Sequence, residues 1–490
     1  MQTQSPLTQA LGLDRTLDPR WTWALALALA ALFTVVFAFG FQAAFYGDAP
    51  LQLLSYRRGL PTGHRLHFYL TEGFAGLGLS PLGAIRAASF VPAGLAIGCL
   101  FAALIRAGLA WFPALLGTLL FAATPSVLFF STSVEVHGLQ LLGVSLAFFA
   151  ALQIGHPSAT SGMLGLLGWS ALAAVALATT HPMNLAAGLG LGALFLVGLR
   201  ARGASRTKTL AVGAAAGALL LFAALLASYG YLDRQGWSLA VLLESFRWRF
   251  ETTLPGSDRP VLLHNFLEAV ALPAALLLAL GLLGLVLEAL RPSVSRGLPL
   301  ALLLWVLGPV LLLLGPDFHE RGAYFLVALP PLALGVACLA ARGRGLALLA
   351  ALAILAQGGL AVSEVRAWDR PPPPEAEEWL AGLKLLSGGR GVLLAEDAQQ
   401  QDWARRYLGM PTDNLRLFLV LPEAELLAFA HTFTDWARAM ANDGEPLWLP
   451  SRVLDLAPEI PPLQRATEVL EESFRFQAVT ARGFQGYKGS

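Results

Sequence analysis

The sequence predicts a polytopic all-α membrane protein of about eleven transmembrane helices, carrying a water-soluble α/β domain at its C-terminal end. Three observations predict it. Of the 490 residues, 56% are hydrophobic and 13% charged, whereas an ordinary soluble domain carries about 25% charged residues. Apolar stretches of roughly 18 residues or more, long enough to cross a ~30 Å hydrocarbon layer as a helix, recur between residues 21 and 361. Beyond Glu364 the composition changes abruptly, through Arg370-Pro371-Pro372-Pro373-Pro374, into sequence where charge is frequent.

Spans are expected at 22–45, 82–105, 110–130, 135–154, 162–180, 183–199, 209–229, 265–289, 298–315, 322–341 and 344–363. The first run, opening Trp21-Thr22-Trp23, is too long for a secretory signal and lacks a small-residue cleavage site, so it reads as a retained helix. Lys and Arg orient the set, because they are held back on the cytoplasmic side. Arg15 and Arg20, then Arg106, then Arg200, Arg202, Arg206 and Lys208, then Arg291 and Arg296, then Arg342 and Arg344 fall in alternate connections. The short connections between them, at 124–134, at His181 and at 315–321, hold only Arg321. The N-terminus is therefore expected in the cytoplasm and the C-terminal domain outside. Two longer loops, 46–81 and 230–264, are expected outside as well.

The domain division follows: a membrane part over 1–363, a stiff polyproline linker over 364–374 and a soluble domain over 375–490. In the last, a helix at 375–386, a strand at 391–396, a helix at 397–407, a strand at 415–421, a helix at 422–441 and strands near 446–450 and 474–480 alternate as in an α/β domain.

Several function classes drop out. A formal net charge of +1 gives no basic face for nucleic acid. No Gly-rich loop ends in Gly-Lys-Ser/Thr, no dinucleotide fingerprint joins a strand to a helix, and there is no Gly-x-Ser-x-Gly. Cys99 and Cys338 fall inside spans with no metal or disulfide spacing and read as small core residues.

What remains is a set of polar residues at the outer ends of the spans, which a chain this apolar has physical reason to limit. Asp48 lies just past the first span. A partly desolvated carboxylate there is able to take a proton from an acceptor hydroxyl or amide as it attacks a sugar's anomeric carbon. Before Ala49-Pro50, Asp48 is also a good helix N-cap with Gly59 as the stop, and the two roles are compatible. Arg57, Arg58 and Arg65 suit a lipid phosphate or membrane headgroups. Glu135 with His137, His181 with Asn184, and Asp317 with His319, Glu320 and Arg321 supply three further clusters on the same expected face. Carboxylates and histidines together also suit a divalent cation, although paired ligand spacing on one helix is missing.

At these residues the sequence resembles the GT-C superfamily of membrane glycosyltransferases, and within it the bacterial branch similar to protein O-mannosyltransferases. The likeness rests on Gly47-Asp48, Gly63-His64-Arg65-Leu66, Leu79-Ser80-Pro81-Leu82-Gly83-Ala84-Ile85-Arg86, Ser133-Val134-Glu135-Val136-His137-Gly138-Leu139 and Thr180-His181-Pro182. It covers about residues 20–340, not the C-terminal domain. The resemblance implies an acid in the first outer loop beside the catalytic centre and a sugar donor on a polyprenyl phosphate or pyrophosphate. It thus implies Asp48 as base and arginines such as Arg321 on the donor phosphate. Glu135, His137, His181 and Asp317 are expected to position donor or acceptor, and His64 and Asn184 to bind substrate as well, in an inner (cytoplasmic) membrane of bacterial type. Many relatives carry a second acid beside the first; here Ala49 stands in that place and the next acid is Glu72.

The expected function is transfer of a sugar, with inversion, from a polyprenyl-phosphate-linked donor in the membrane to a glycan, lipid or protein acceptor on the extracytoplasmic face. The rivals are a lipid-linked saccharide transporter or flippase, which needs inverted repeats and discontinuous midplane spans, and a non-catalytic assembly partner with the same fold.

Overall fold

The computed structural model of the chain describes residues 18–45, 49–57, 65–155, 163–201, 205, 275–291, 297–313, 322–396, 398–414, 444–455 and 461–489, with parts of 431–441. The chain divides into two compact units, Met1–Phe41 with Pro61–Arg366, and Gln42–Leu60 with Ala367–Ser490.

Asp18 opens the first unit. Its carboxylate accepts from the Arg20 N–H at 2.8 Å, and Pro19 fills a first-turn position that needs no donor, so α1 (Pro19–Phe39) starts there. Then follow α2 (Ala49–Arg57), which belongs to the second unit, α3 (Arg65–Gly76), α4 (Pro81–Arg106), α5 (Trp111–Ala122), α6 (Pro125–Ser131) and α7 (His137–Gly155). After them come α8 (Met163–Thr180), α9 (Gly188–Ala201), α10 (Ala275–Ala289), α11 (Gly297–Leu313), α12 (Leu329–Ala340) and α13 (Arg344–Trp368).

Among the described residues, α1, α4, α7 and α13 are long and apolar enough to cross a membrane, and α5 with α6 passes the same test as a pair bent by 68°. The chain is a multi-pass membrane protein. About eleven full-length spans is not what the described residues give, because α8 to α12 are shorter apolar helices. The expected span at 209–229 and the loop at 230–264 lie outside the described residues.

On α1 the buried stripe is Thr22, Ala26 and Ala30, and on α13 it is Ala350, Ala353, Gln357 and Ala361, at the spacing of one helix face. Trp21, Leu27 and Val35 of α1 and Leu348, Leu352 and Leu355 of α13 point outward, as a lipid-covered surface requires. Small residues bring α1 onto α4: a Cβ added at Gly98 would run into the Ala26 carbonyl oxygen.

Several expected spans are interrupted. The run at 110–130 breaks because Pro125 lacks an N–H and its ring clashes with the preceding turn. The Thr124 N–H then bonds Phe121 O (3.1 Å), leaving the Leu120 carbonyl to accept from the Thr124 hydroxyl (3.0 Å) and from Nε2 of Gln357 (3.3 Å). Gln357 also donates to Thr124 Oγ1 (2.9 Å) and accepts from Leu277 N on α10 (3.2 Å). The span expected at 135–154 turns helical only at His137, and residues 132–136 before it are irregular and buried. The spans at 183–199 and 322–341 open on 3₁₀ turns, Pro182–Ala187 and Ala323–Ala328, which touch each other. Ala323–Ala328 also touches α6 and α7.

The first span ends at Phe39, short of the expected 45, where Gly40 closes the last turn onto Val36 O at 2.9 Å. The loop expected at 46–81 holds α2 and α3. The first begins at the residue after Asp48, and the second buries His67, Phe68 and Thr71 at helical spacing.

In the second unit the expected linker is shorter than 364–374. Helix α13 carries on through Glu364, Arg366 and Ala367 to Trp368 before the proline run stops it, and α14 (Pro374–Ser387) begins with a proline in its first turn. Next come β1 (Val392–Ala395), α15 (Ala398–Trp403), a π turn at Ala404–Leu408, β2 (Thr412–Asn414) and β3 (Leu447–Pro450). The chain finishes with α16 (Ser451–Asp455), α17 (Pro461–Glu471), β4 (Phe476–Ala481) and β5 (Phe484–Gly489). The five strands lie in the order β2-β1-β3-β5-β4, with β1 parallel to β2 and β3, and β5 antiparallel to β3 and β4. Because β1 is covered on both faces, its sequence is apolar throughout. Val392 and Leu394 pack with Leu447, Leu449 and Phe474, while Leu393 and Ala395 pack with Leu383, Met410 and Phe484. The strand expected at 415–421 lies outside the described residues, and 422–441 is described only in part. Sequence patterning did not anticipate α16, α17 or β5.

Candidate functional site

The polar side chains of the first unit gather where α7 starts and α8 ends. A carbonyl oxygen only accepts hydrogen bonds, and this sets the direction of a whole chain of them. The Thr180 hydroxyl donates to the Ala176 carbonyl (2.6 Å), so its oxygen accepts from Nδ2 of Asn184 (2.9 Å). The Asn184 amide oxygen therefore faces Gln140 and accepts from its Nε2 (3.1 Å), which turns the Gln140 oxygen onto Nδ1 of His137 at 2.6 Å. Nδ1 must then carry a proton, which in a neutral imidazole leaves the lone pair on Nε2. Bonds aligned head to tail in a dry interior polarise one another.

The ring of His137 lies 4.5 Å, centroid to centroid, from Phe130 and 5.2 Å from His181. The backbone turns at His181, whose carbonyl accepts the Asn184 N–H (3.1 Å). Glu135, also buried, is tied to α4: its N–H donates to Ser89 Oγ (3.2 Å), and its carboxylate accepts the Val136 N–H (3.1 Å). Gly138 makes that approach of α7 to α4 possible, since a Cβ there would run into the Ser89 carbonyl oxygen. The hydroxyls of Ser131 and Ser133, in the same buried segment, have no hydrogen-bond partner among the described residues. Buried orphan hydroxyls are uncommon and mark places where water or a polar ligand completes the bonding.

The second unit holds the approach to Asp48. The N–H groups of Ala43 and Ala44 both donate to one carboxylate oxygen of Asp369, at 2.8 and 3.0 Å, and the Phe45 N–H donates to the Arg406 carbonyl at 2.8 Å. The Arg406 guanidinium lies over the Trp368 ring at 4.2 Å and donates to the Trp368 carbonyl.

The residues singled out in the sequence divide as follows. His137, His181 and Asn184 are buried together, with Glu135 two residues before His137. Arg65 opens α3 and is half-buried, and Arg57 ends α2. Asp48, Arg58, His64, Asp317, His319, Glu320 and Arg321 lie outside the described residues, as does the Arg57 side chain. Among the described residues no three of His, Cys, Asp or Glu group so as to hold a metal ion. Sequence reasoning passed over Gln140 and Ser89, and used Thr180 only within the Thr180-His181-Pro182 motif. Gln140 was findable, being a polar residue in an apolar span, three residues from His137 and so on the same helix face.

No family model and no curated protein matches the sequence. Among solved structures, the crystal structure of ArnT from Cupriavidus metallidurans bound to undecaprenyl phosphate is similar to this chain with a TM-score of 0.58. It is 14% identical, and the match covers 96% of this chain and 98% of that one. The apo state of the same protein gives a TM-score of 0.54 at 14% identity, over 96% and 98% of the two chains. At such identity the likeness is one of fold, and along almost its whole length this chain has the fold of ArnT.

Proposed function

We propose that the chain is a membrane glycosyltransferase of the GT-C type that moves a sugar from a polyprenyl-phosphate-linked donor to a glycan, lipid or protein acceptor on the extracytoplasmic face. The observation that carries the reading is the directed polar chain from His137 to Thr180, built where helices of an apolar bundle are interrupted. Irregular backbone inside a membrane bundle is tolerated where it is buried in protein or lines a wet cavity, and a bundle that only needed to pack would dispense with it. The fold supports the same reading, because the ArnT structure of that fold carries undecaprenyl phosphate.

In this mechanism Asp48 takes the proton from an acceptor hydroxyl or amide while that oxygen or nitrogen attacks the anomeric carbon opposite the phosphate. The bond from the anomeric carbon to the phosphate oxygen breaks, its electron pair leaves with the polyprenyl phosphate, and the configuration inverts. Arg57, Arg58, Arg65 and Arg321 neutralise the phosphate, for which planar guanidinium groups are suited. His64, Glu135, His137, His181, Asn184, Asp317, His319 and Glu320 orient sugar and acceptor hydroxyls. The charge bias of the connections supports the extracytoplasmic placement.

The experiment is transfer of label from a polyprenyl-phosphate sugar pool by the purified protein in nanodiscs. Asp48→Asn should lower the rate by about 10²–10⁴-fold, the usual worth of a general base. Undiminished transfer by that variant would remove Asp48 from the mechanism.

A further inference from the structure

The segment that leads to Asp48 is built into the C-terminal unit. Residues Gln42–Leu60 belong to that unit together with Ala367–Ser490. Before Asp48, three successive N–H groups are taken: those of Ala43 and Ala44 by the Asp369 carboxylate and that of Phe45 by the Arg406 carbonyl. The Phe45 ring sits against Gly409, whose φ of +62° and lack of a Cβ both serve the contact, since a Cβ would lie 2.8 Å from the ring. After Asp48, α2 starts at once with Ala49 fully buried and with Gln52 and Leu53 buried one turn on. Only Tyr46, Gly47 and Asp48 separate the two anchored stretches.

Asp369 is itself held. It follows Trp368, whose carbonyl accepts from the Arg406 guanidinium and whose ring that guanidinium covers. One carboxylate oxygen receiving two consecutive backbone N–H groups is a charge-assisted anchor, stronger than its neutral counterpart.

We infer that Asp369 is a positioning residue for Asp48, and that the C-terminal unit serves the reaction by anchoring Ala43, Ala44 and Phe45, which lead to the base. The inference rests on the proposed role of Asp48. It gives the C-terminal unit a function that its own sequence, without a catalytic signature, does not announce.

The test uses the full chain in nanodiscs, with Asp369→Asn, Asp369→Ala and Asp48→Asn read by two measurements. Hydrogen exchange of a peptide covering residues 42–49 should quicken by about tenfold or more in Asp369→Ala, as an anchored segment opens locally. It should quicken less in Asp369→Asn, which keeps an acceptor oxygen. Transfer kinetics should show kcat per folded molecule reduced by about tenfold to a hundredfold in Asp369→Ala, the scale of a small misplacement, with donor KM nearly unchanged and Asp369→Asn recovering most of the loss. Unchanged kcat per folded molecule in both Asp369 variants, beside an inactive Asp48→Asn, overturns the positioning role and leaves the proposed reaction standing. Unchanged transfer by Asp48→Asn overturns the reaction scheme and the inference with it. Unaltered exchange over 42–49 in a folded Asp369→Ala shows that the anchor is not what holds the loop, and the inference fails on that result alone.

Discussion

Nδ1 of His137 and Oε1 of Gln140 lie 2.6 Å apart, one turn along the same helix, at the head of a chain of bonds that ends on a backbone carbonyl. Gln140→Leu preserves bulk and removes both the acceptor for His137 and the donor for Asn184. Nδ1 of His137 then loses its acceptor and the Asn184 amide oxygen its donor, at about 1–3 kcal/mol for a buried group so deprived, and the imidazole loses what fixes its tautomer. Transfer should fall by about tenfold or more, since about 1.4 kcal/mol is a factor of ten. Labelled-donor kinetics alongside thermal unfolding separates the loss of rate from the loss of fold.

A Cβ on Gly138 would run into the Ser89 carbonyl oxygen, so Gly138→Val forces α7 away from α4. Overpacking of this kind costs about 1–3 kcal/mol, and the shift also pulls Glu135 N from Ser89 Oγ. Ser89→Ala removes that one acceptor without crowding and should cost less, about 0.5–1.5 kcal/mol. Unfolding in detergent should rank the parent first, Ser89→Ala second and Gly138→Val last.

Gln357 satisfies three groups near the bend between α5 and α6 and on α10: the Leu120 carbonyl, the Thr124 hydroxyl and the Leu277 N–H. Gln357→Leu should destabilise the protein by about 1–3 kcal/mol, chiefly because the Leu277 N–H loses its acceptor, while the Thr124 hydroxyl and the Leu120 carbonyl keep their bond to each other. A lower midpoint in thermal unfolding, with residual transfer per folded molecule unchanged at low temperature, is the expected result.

Tyr487 gives a pH-dependent signal in the second unit. Its phenol is raised above its ordinary value by burial, then by the charge of Asp455 and by the hydrogen bond to Asp455 Oδ1, at 3.4 Å. A raised folded-state value means that the neutral phenol's contribution is fully present below the unfolded value near 10 and is lost as pH rises through the folded one. Asp455→Asn should bring the titration of Tyr487 part of the way back down, with the burial contribution remaining. Carbon NMR of ring-labelled tyrosine, with Tyr487→Phe to identify the signal, measures it.

Apolar run length and charge placement are local properties, and they located α1, α4, α7 and α13 because lipid demands an unbroken helix there. The same rule could not tell a span from an interrupted one. Ala323–Ala328 is as apolar as a helix interior, and residues 132–136, which hold Thr132, Ser133 and Glu135, run straight on from an apolar stretch; packing against neighbouring segments lets the backbone leave the helical path in both. Pro125 was visible as a breaker, but its consequence depended on Gln357, which is remote in sequence.

The sequence by itself determined that the chain lives in a membrane, where its charge changes character, and that His137, His181 and Asn184 are polar residues an apolar chain has to accommodate. Tertiary structure decided that these three share one network with Gln140 and Thr180, and that Ala43 and Ala44 are bound by Asp369 far along the chain. The physical reason is the same in both cases. Hydrophobicity and charge are summed along the chain and can be read from it, whereas a hydrogen bond needs a donor and an acceptor at one place and in one orientation, and only the packed fold supplies both.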